Sequence, residues 1–276
     1  MLARYKMYAN CTYANLQNDI NGIINGYITA NNSANLSTGC DTVNTIFYGS
    51  YPTGLYTMSA GSTANTYVKT HNTYNTTTHA FKLGYNGTGL ANISLASSAS
   101  GDTLTNSYTY VFPSTMVPQT YQAVDIVVNN TSFFLYCPLA NVSVGIFDIG
   151  KSGLSRIYTN NMLMYLQSFT IGNPQGVVPY TYNLLLTPQA NGTVTTQNLS
   201  YVTPARIPYN TAGNLAVMEN PVFTYSNASG SSTNVVYGLS KIYDQLYAGR
   251  SIYSDTTGSY RLVIATDTLS YSILIS

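Results

Sequence analysis

A chain of 276 residues is long enough for one large domain, or two smaller ones, with a core that needs no covalent staples. Ten Lys and Arg against nine Asp and Glu give a net charge of +1, and charged residues total 7 %, far below the roughly 25 % of an average soluble protein. That balance argues against a basic surface for nucleic acid and leaves little titratable material for catalysis.

At the front, Leu16, Ile20, Ile23 and Ile24 share one helical face and Gly26 follows as a stop, which predicts a helix from Thr12 to Asn25. Leu36, Cys40, Val43 and Phe47 repeat the spacing up to Gly49 and predict a second, shorter helix. From Tyr51 onward the apolar period changes to two. Strands are predicted at Tyr67–Lys69, at Ala80–Leu83, and at Thr105–Phe112, the last closed by Pro113. Tyr121–Val128 and Ser132–Cys137 flank Asn129-Asn130-Thr131 as a hairpin, and Val142–Phe147 supplies a third antiparallel strand. Leu163–Ile171 reads as a strand or a helix. Further strands are predicted at Tyr180–Leu186, Tyr201–Ile207, Leu215–Val217, Val222–Tyr225 and Val235–Tyr237. Leu239, Ile242, Tyr243, Leu246 and Tyr247, stopped by Gly249, predict one late helix, and Tyr260–Ala265 with Leu269–Ile275 predict a terminal hairpin. The expected fold is mainly β, an antiparallel β-sandwich or barrel-like core with a short helical N-terminal region and one late helix. Residues 1–50 form a helical arm segment packed on an antiparallel β domain of residues 51–276. No repeat of fixed period and no heptad run is present.

The acid and base inventory is nine carboxylates, Asp19, Asp41, Asp102, Asp125, Asp148, Glu219, Asp244, Asp255 and Asp267, and two histidines, His71 and His79. A glycosidase needs two converging carboxyls, and Asp125 with Asp148 is the conceivable pair. Alternation turns Asp125 away from Val124 and Ile126, so a solvated strand face is the plainer expectation for it, and a turn for Asp148. His71 and His79 read as exposed loop residues with no third metal ligand nearby. Cys11, Cys40 and Cys137, 29 and 97 residues apart, fit neither a disulfide framework nor a zinc site and are expected as buried free thiols. Nucleophile elbow, P-loop and Rossmann signatures are absent. Arg4 and Lys6, the closest basic group, read as a solvated terminus. Tyr85-Asn86-Gly87 and Ser254–Gly258 are the loops that would suit a sugar, with rings for stacking and amides for hydroxyls. Catalytic, cofactor-binding and metal-binding residues are therefore expected to be none.

What replaces charge is Asn, Thr, Ser, Gly and 27 tyrosines. Burying an ion costs several kcal/mol unless it is paired, roughly, whereas Thr, Asn and Tyr enter an interface and find partners there. A low-charge monomer or a secreted β protein is the competing expectation. Met1–Met7 is followed by no apolar run, so no signal peptide is expected, and the Asn-x-Ser/Thr sequons, Asn10, Asn35 and Asn86 among them, are ascribed to composition.

The pattern Leu16-x-x-Asp19-Ile20-x-x-Ile23-Ile24-x-Gly26, then Leu36-Ser37-x-x-Cys40-Asp41, then Gly49 and Gly54-Leu55-Tyr56, resembles uncharacterised virion structural proteins of tailed bacteriophages. The resemblance covers about the first 60 residues. It implies a non-enzymatic particle component of the tail, neck, baseplate or a fibre, made in the host cytoplasm and located in the virion. A head-surface decoration protein and a carbohydrate-binding adhesin are the alternatives. The expected partners are further copies of the chain, other virion proteins and a host-surface glycan, without nucleic acid or membrane insertion.

Overall fold

The computed structural model describes residues 1–52, 56–58, 66–70, 78–96, 98–105, 107–129, 132–138, 142–151, 162–168, 184–188, 194–198, 200–201, 217–218, 222–227, 230–236, 239–242, 249–254, 260–265 and 270–275. Strand β1 (Leu2–Lys6) is followed by helix α1 (Tyr13–Ile24), a 3-10 turn at Ala30–Asn35 and strand β2 (Ile46–Tyr48). Next come β3 (Tyr56–Met58), β4 (Thr66–Thr70), β5 (Thr78–Tyr85), β6 (Leu90–Ala96), the small hairpin of β7 (Ser98–Ser100) and β8 (Thr103–Thr105), and β9 (Tyr108–Met116). They lead to β10 (Ala123–Val128), β11 (Ser132–Cys137) and β12 (Val142–Lys151). All strand pairings among the described residues are antiparallel. The fold is mainly β.

One sheet has nine strands. Its central run is β12-β11-β10-β1-β2, with β12 extended by Met162–Ser168 along its first part and by Gly230–Val236 at its end. A second sheet runs β3-β4-β5-β6-β9, and a third, of five strands, contains the terminal hairpin Tyr260–Ala265 with Ser270–Leu274. The first two sheets share a core. Met1, Ala3, Tyr5 and Met7 alternate inward from β1 and its flanks, meeting Val124, Ile126 and Val128 of β10, Phe133 and Leu135 of β11, and Phe81, Leu83 and Ile93 of the second sheet. A column of rings bridges the layers, with Tyr67 stacked on Phe81 at 5.1 Å and Phe81 on Phe133 at 4.7 Å.

Helix α1 forms where the apolar spacing places it. Thr12 caps the start, its Oγ1 accepting from the Asn15 amide at 3.2 Å, and Leu16, Ile20, Ile23 and Ile24 are fully buried. At the other end Gly26 takes a positive φ of 77°, and the Tyr51 hydroxyl donates to the Ile24 carbonyl at 2.6 Å, filling one of the acceptors a helix end leaves open. The helix packs against β10, and the Tyr67 hydroxyl of the second sheet donates to Asn21 Oδ1 at 2.6 Å. Residues 1–50 thus supply the expected helix and also two strands of the main sheet.

Four sequence expectations are corrected. The span Leu36–Phe47 is not a helix: Cys40 bridges Met7, Asp41 caps a turn, and Ile46–Tyr48 is β2. Its spacing is coincidental: Leu36 and Cys40 are buried from a loop, Phe47 is half-buried on an edge strand, and Val43 is 87 % exposed. Leu239–Ile242 is a strand paired with Ser270–Leu274, because Leu239 lies across from Ile273; Tyr243–Ala248 lies outside the described residues. Pro113 sits inside β9 and does not close it; it falls in the register irregularity between the Val111 and Met116 pairings with β6, the kind of place where a strand tolerates a missing N–H. His79 belongs to β5, across from Lys69, and not to a loop; His71 lies outside the described residues. Met162–Ser168 takes the strand alternative. Of the strands predicted later, Leu184–Pro188, Val222–Asn227 and Gly230–Val236 are present, whereas residues 202–216 lie outside the described part.

Because Phe133 closes the ring column with no exposed surface, Phe133→Ala is expected to cost about 3–5 kcal/mol, read as a lowered midpoint in urea denaturation.

Candidate functional site

Several charged groups are engaged in holding strands and turns. Arg4 of β1 stands directly across from Asp125 of β10, and the guanidinium grips the carboxylate with both arms, Nε to Oδ1 at 2.8 Å and the terminal amino group to Oδ2 at 3.1 Å. Asp125 is 0 % exposed and Arg4 23 %. The sequence reading had the parity of Asp125 right and its solvation wrong: it faces away from Val124 and Ile126, yet Leu2, Val127 and Phe134 on that same side are buried too. The hydrogen bond to Asp125 holds the Arg4 guanidinium above its ordinary pKa. A carboxylate occupied at both oxygens is poorly placed to act as a base. Arg4 is accordingly an internal clamp and not part of a solvated terminus.

Lys6 lies 3.7 Å from Asp41, whose carboxylate accepts from the Asn44 amide at 3.1 Å and from Asn44 Nδ2 at 2.8 Å. Those Asn44 bonds, ahead of the nearby lysine, draw the Asp41 pKa down. Asp102 accepts from Thr66 Oγ1 at 2.7 Å. The conceivable pair Asp125 and Asp148 does not converge. Ser143 stands opposite Tyr136, which stands opposite Asp125, and Asp148 lies five residues further along β12. At about 3.4 Å per residue and about 4.8 Å per strand, the two backbone positions are some ~20 Å apart, beyond the ~9.5 Å upper spacing of glycosidase carboxyls.

Beneath β1 lies a buried polar group of a different kind. Asp19 on α1 accepts at Oδ1 from the Ser37 amide at 2.9 Å and from its hydroxyl at 2.7 Å, tying the helix to the following loop. Its Oδ2 is buried without a hydrogen bond, although the Tyr5 hydroxyl is near enough to favour the charged form. Burial outweighs these partners and raises the Asp19 pKa. Tyr5 also meets Cys11 Sγ at 3.6 Å, and Cys40 Sγ lies 3.2 Å from both the Lys6 carbonyl and Thr45 Oγ1. Burial pushes the Cys40 thiol up to about 12 and the Cys11 and Cys137 thiols upward as well, so all three are held as thiols and not as reactive thiolates. All three are free, Cys40 and Cys137 buried as expected and Cys11 half-exposed. Among the described residues no three His, Cys, Asp or Glu side chains gather as a metal set.

Of the two loops suggested for sugar, Tyr85-Asn86-Gly87 uses its ring and its amide within the fold. Tyr85 packs edge-on against Tyr13 at 6.1 Å, and Asn86 Oδ1 is taken by Thr88 and by the Gly89 amide, so both are used locally. Residues 255–258 lie outside the described part.

A surface feature that sequence reasoning missed is a pair of tyrosines. Tyr8 is 45 % exposed and Tyr121 66 %, and their rings meet edge to face with centroids 5.8 Å apart. Tyr121 occupies the third position of the turn Gln119–Gln122 with φ 61°, the one non-glycine residue with positive φ among the described residues. The conformation costs about 1–2 kcal/mol for a residue with a Cβ, and the ring contact returns about 0.5–1.5 kcal/mol. Two backbone bonds hold it, Tyr121 N–H to the Met7 carbonyl at 3.1 Å and Met7 N–H to the Gln122 carbonyl at 2.9 Å. A tyrosine in a slot suited to glycine carries no sequence signal.

Arg4→Met is expected to destabilise the fold by about 2–4 kcal/mol, because it leaves the Asp125 carboxylate buried without its cation. The double change Arg4→Met with Asp125→Leu should recover most of that loss in chemical denaturation. For Asp19 the native pKa is raised above the unfolded value of 3.8, so the native state binds more protons in the interval between them. Stability from this group is therefore full below pH 3.8 and is lost as pH rises through the native value. Denaturation of the wild type and of Asp19→Asn at a series of pH values should show the wild type losing stability relative to the variant in that direction.

In comparison with known proteins, the chain matches no family model and no curated protein.

Proposed function

We propose that the chain is a non-enzymatic structural component of a virus particle, one that repeats in the tail of a tailed bacteriophage or in its neck, baseplate or fibre attachments. The observation that carries this reading is the scarcity of charge, 7 % of residues, two pairs of which, Arg4 with Asp125 and Lys6 with Asp41, are used within the fold. Among the described residues, Tyr8, Tyr27 and Tyr121 and the aliphatic Val43, Ile46 and Val111 are exposed. Such surface can be covered by a neighbouring subunit without stranding an ion. The resemblance of the N-terminal segment to virion structural proteins points the same way. The partners are further copies of the chain and other virion proteins, and the location is the virion, after synthesis in the host cytoplasm.

A stable contact of this kind buries more than about 1,000 Å². Native mass spectrometry of the full chain is expected to give a defined oligomer, and proteomics of purified particles to find the chain at a fixed stoichiometry. A persistent monomer at high concentration that is also missing from particles overturns the proposal.

A further inference from the structure

We propose that Tyr8 and Tyr121 form a stacking platform for a neutral carbohydrate, a binding site that goes beyond a purely structural role and does not depend on it. Two independent observations carry this. The rings are large, exposed and already in contact with each other at 5.8 Å, so a ligand meets a fixed corner and not two mobile side chains. The backbone under Tyr121 is held in a conformation unfavourable for any residue with a Cβ, and it is held by the same Met7 ladder that positions Tyr8. A turn that needed only to reverse direction would be served better by glycine at that place.

The surroundings select the class of ligand. Residues 7–18 and 103–124 contain no charged side chain, and Asn10, Gln119 and Thr120, within two residues of the tyrosines in sequence, are exposed. Tyrosine faces suit the C–H face of a pyranose, and neighbouring amides and hydroxyls can donate to and accept from its hydroxyls. Within these two segments an acidic glycan would find no cation, and the nearby Arg4 and Lys6 face Asp125 and Asp41. The same rings and amides would also suit a subunit contact, and the absence of charge from both segments is what favours a neutral sugar over an acidic one.

The test is calorimetric titration of the full chain with soluble oligomers of glucose, galactose and mannose, with uronic-acid oligomers as the charged counterpart. At least one neutral oligomer is expected to bind, and Tyr8→Ala and Tyr121→Gly are each expected to weaken it about tenfold, the effect of losing one ring contact. Tyr121→Gly removes the ring and relieves the positive φ together, so its unfolding midpoint should not fall, which separates loss of binding from loss of fold. The proposal is overturned by any of three results: no neutral oligomer binds, binding survives both substitutions, or only the acidic oligomers bind. It is equally overturned if the substitutions dissociate an oligomer while leaving sugar binding unchanged, because the ring pair is then a subunit contact.

Discussion

A strand in the middle of a sheet must have its amides and carbonyls taken up on both sides, and β1 is such a strand. It is bonded to β10 along Leu2 to Lys6 and to β2 along Leu2 to Arg4. Almost everything described in the front half depends on that insertion. It aligns the inward row Ala3, Tyr5 and Met7 with the core, sets Arg4 opposite Asp125, and carries Met7 to the point where it holds both the Tyr121 turn and Cys40. Backbone pairing supplies the geometry, and the ion pair makes the register specific. A slip of one residue would turn Arg4 into the core and take its cation from Asp125.

The economy of charge inside the fold is matched by generous use of neutral polar groups. Asn21 receives the Tyr67 hydroxyl, Ser37 satisfies one oxygen of Asp19, and Thr45 accepts from the Lys6 amide. Hydroxyls and amides lose less on leaving water than ions do and can serve as donor and acceptor at once, which lets buried segments meet without an ion pair at every crossing. The orphaned Oδ2 of Asp19 marks the place where this economy is incomplete.

Local signals in the sequence were read well where they were local in the structure too. The stripe Leu16, Ile20, Ile23 and Ile24 with Gly26 after it has one explanation, and α1 ends where those residues say. The hairpin of β10 and β11 and the terminal hairpin are likewise written in alternation. What escaped was settled at long range. Asp125 looks solvated until Arg4, 121 residues away in the chain, is placed beside it. Leu239 and Ile242 fit a helix by spacing, but the ladder with Ser270–Leu274 sets their conformation. In the candidate site, neither tyrosine is marked by its neighbours, since exposure and a positive φ belong to the folded backbone.

The far end of the chain adds a constraint on how this fold can be made. The Met1 amine donates to the carbonyls of Val128 and Ile275 at 2.6 and 3.1 Å, and the Asn129 side chain donates to Leu274. Burial at this junction lowers the amine pKa to about 5. The seat of Met1 is therefore complete only when a segment 274 residues further along the chain lies beside it. Contacts so distant in sequence form slowly, because the long loop between them must close before any contact repays it, so the front of the main sheet is completed by one of the late pairings in folding.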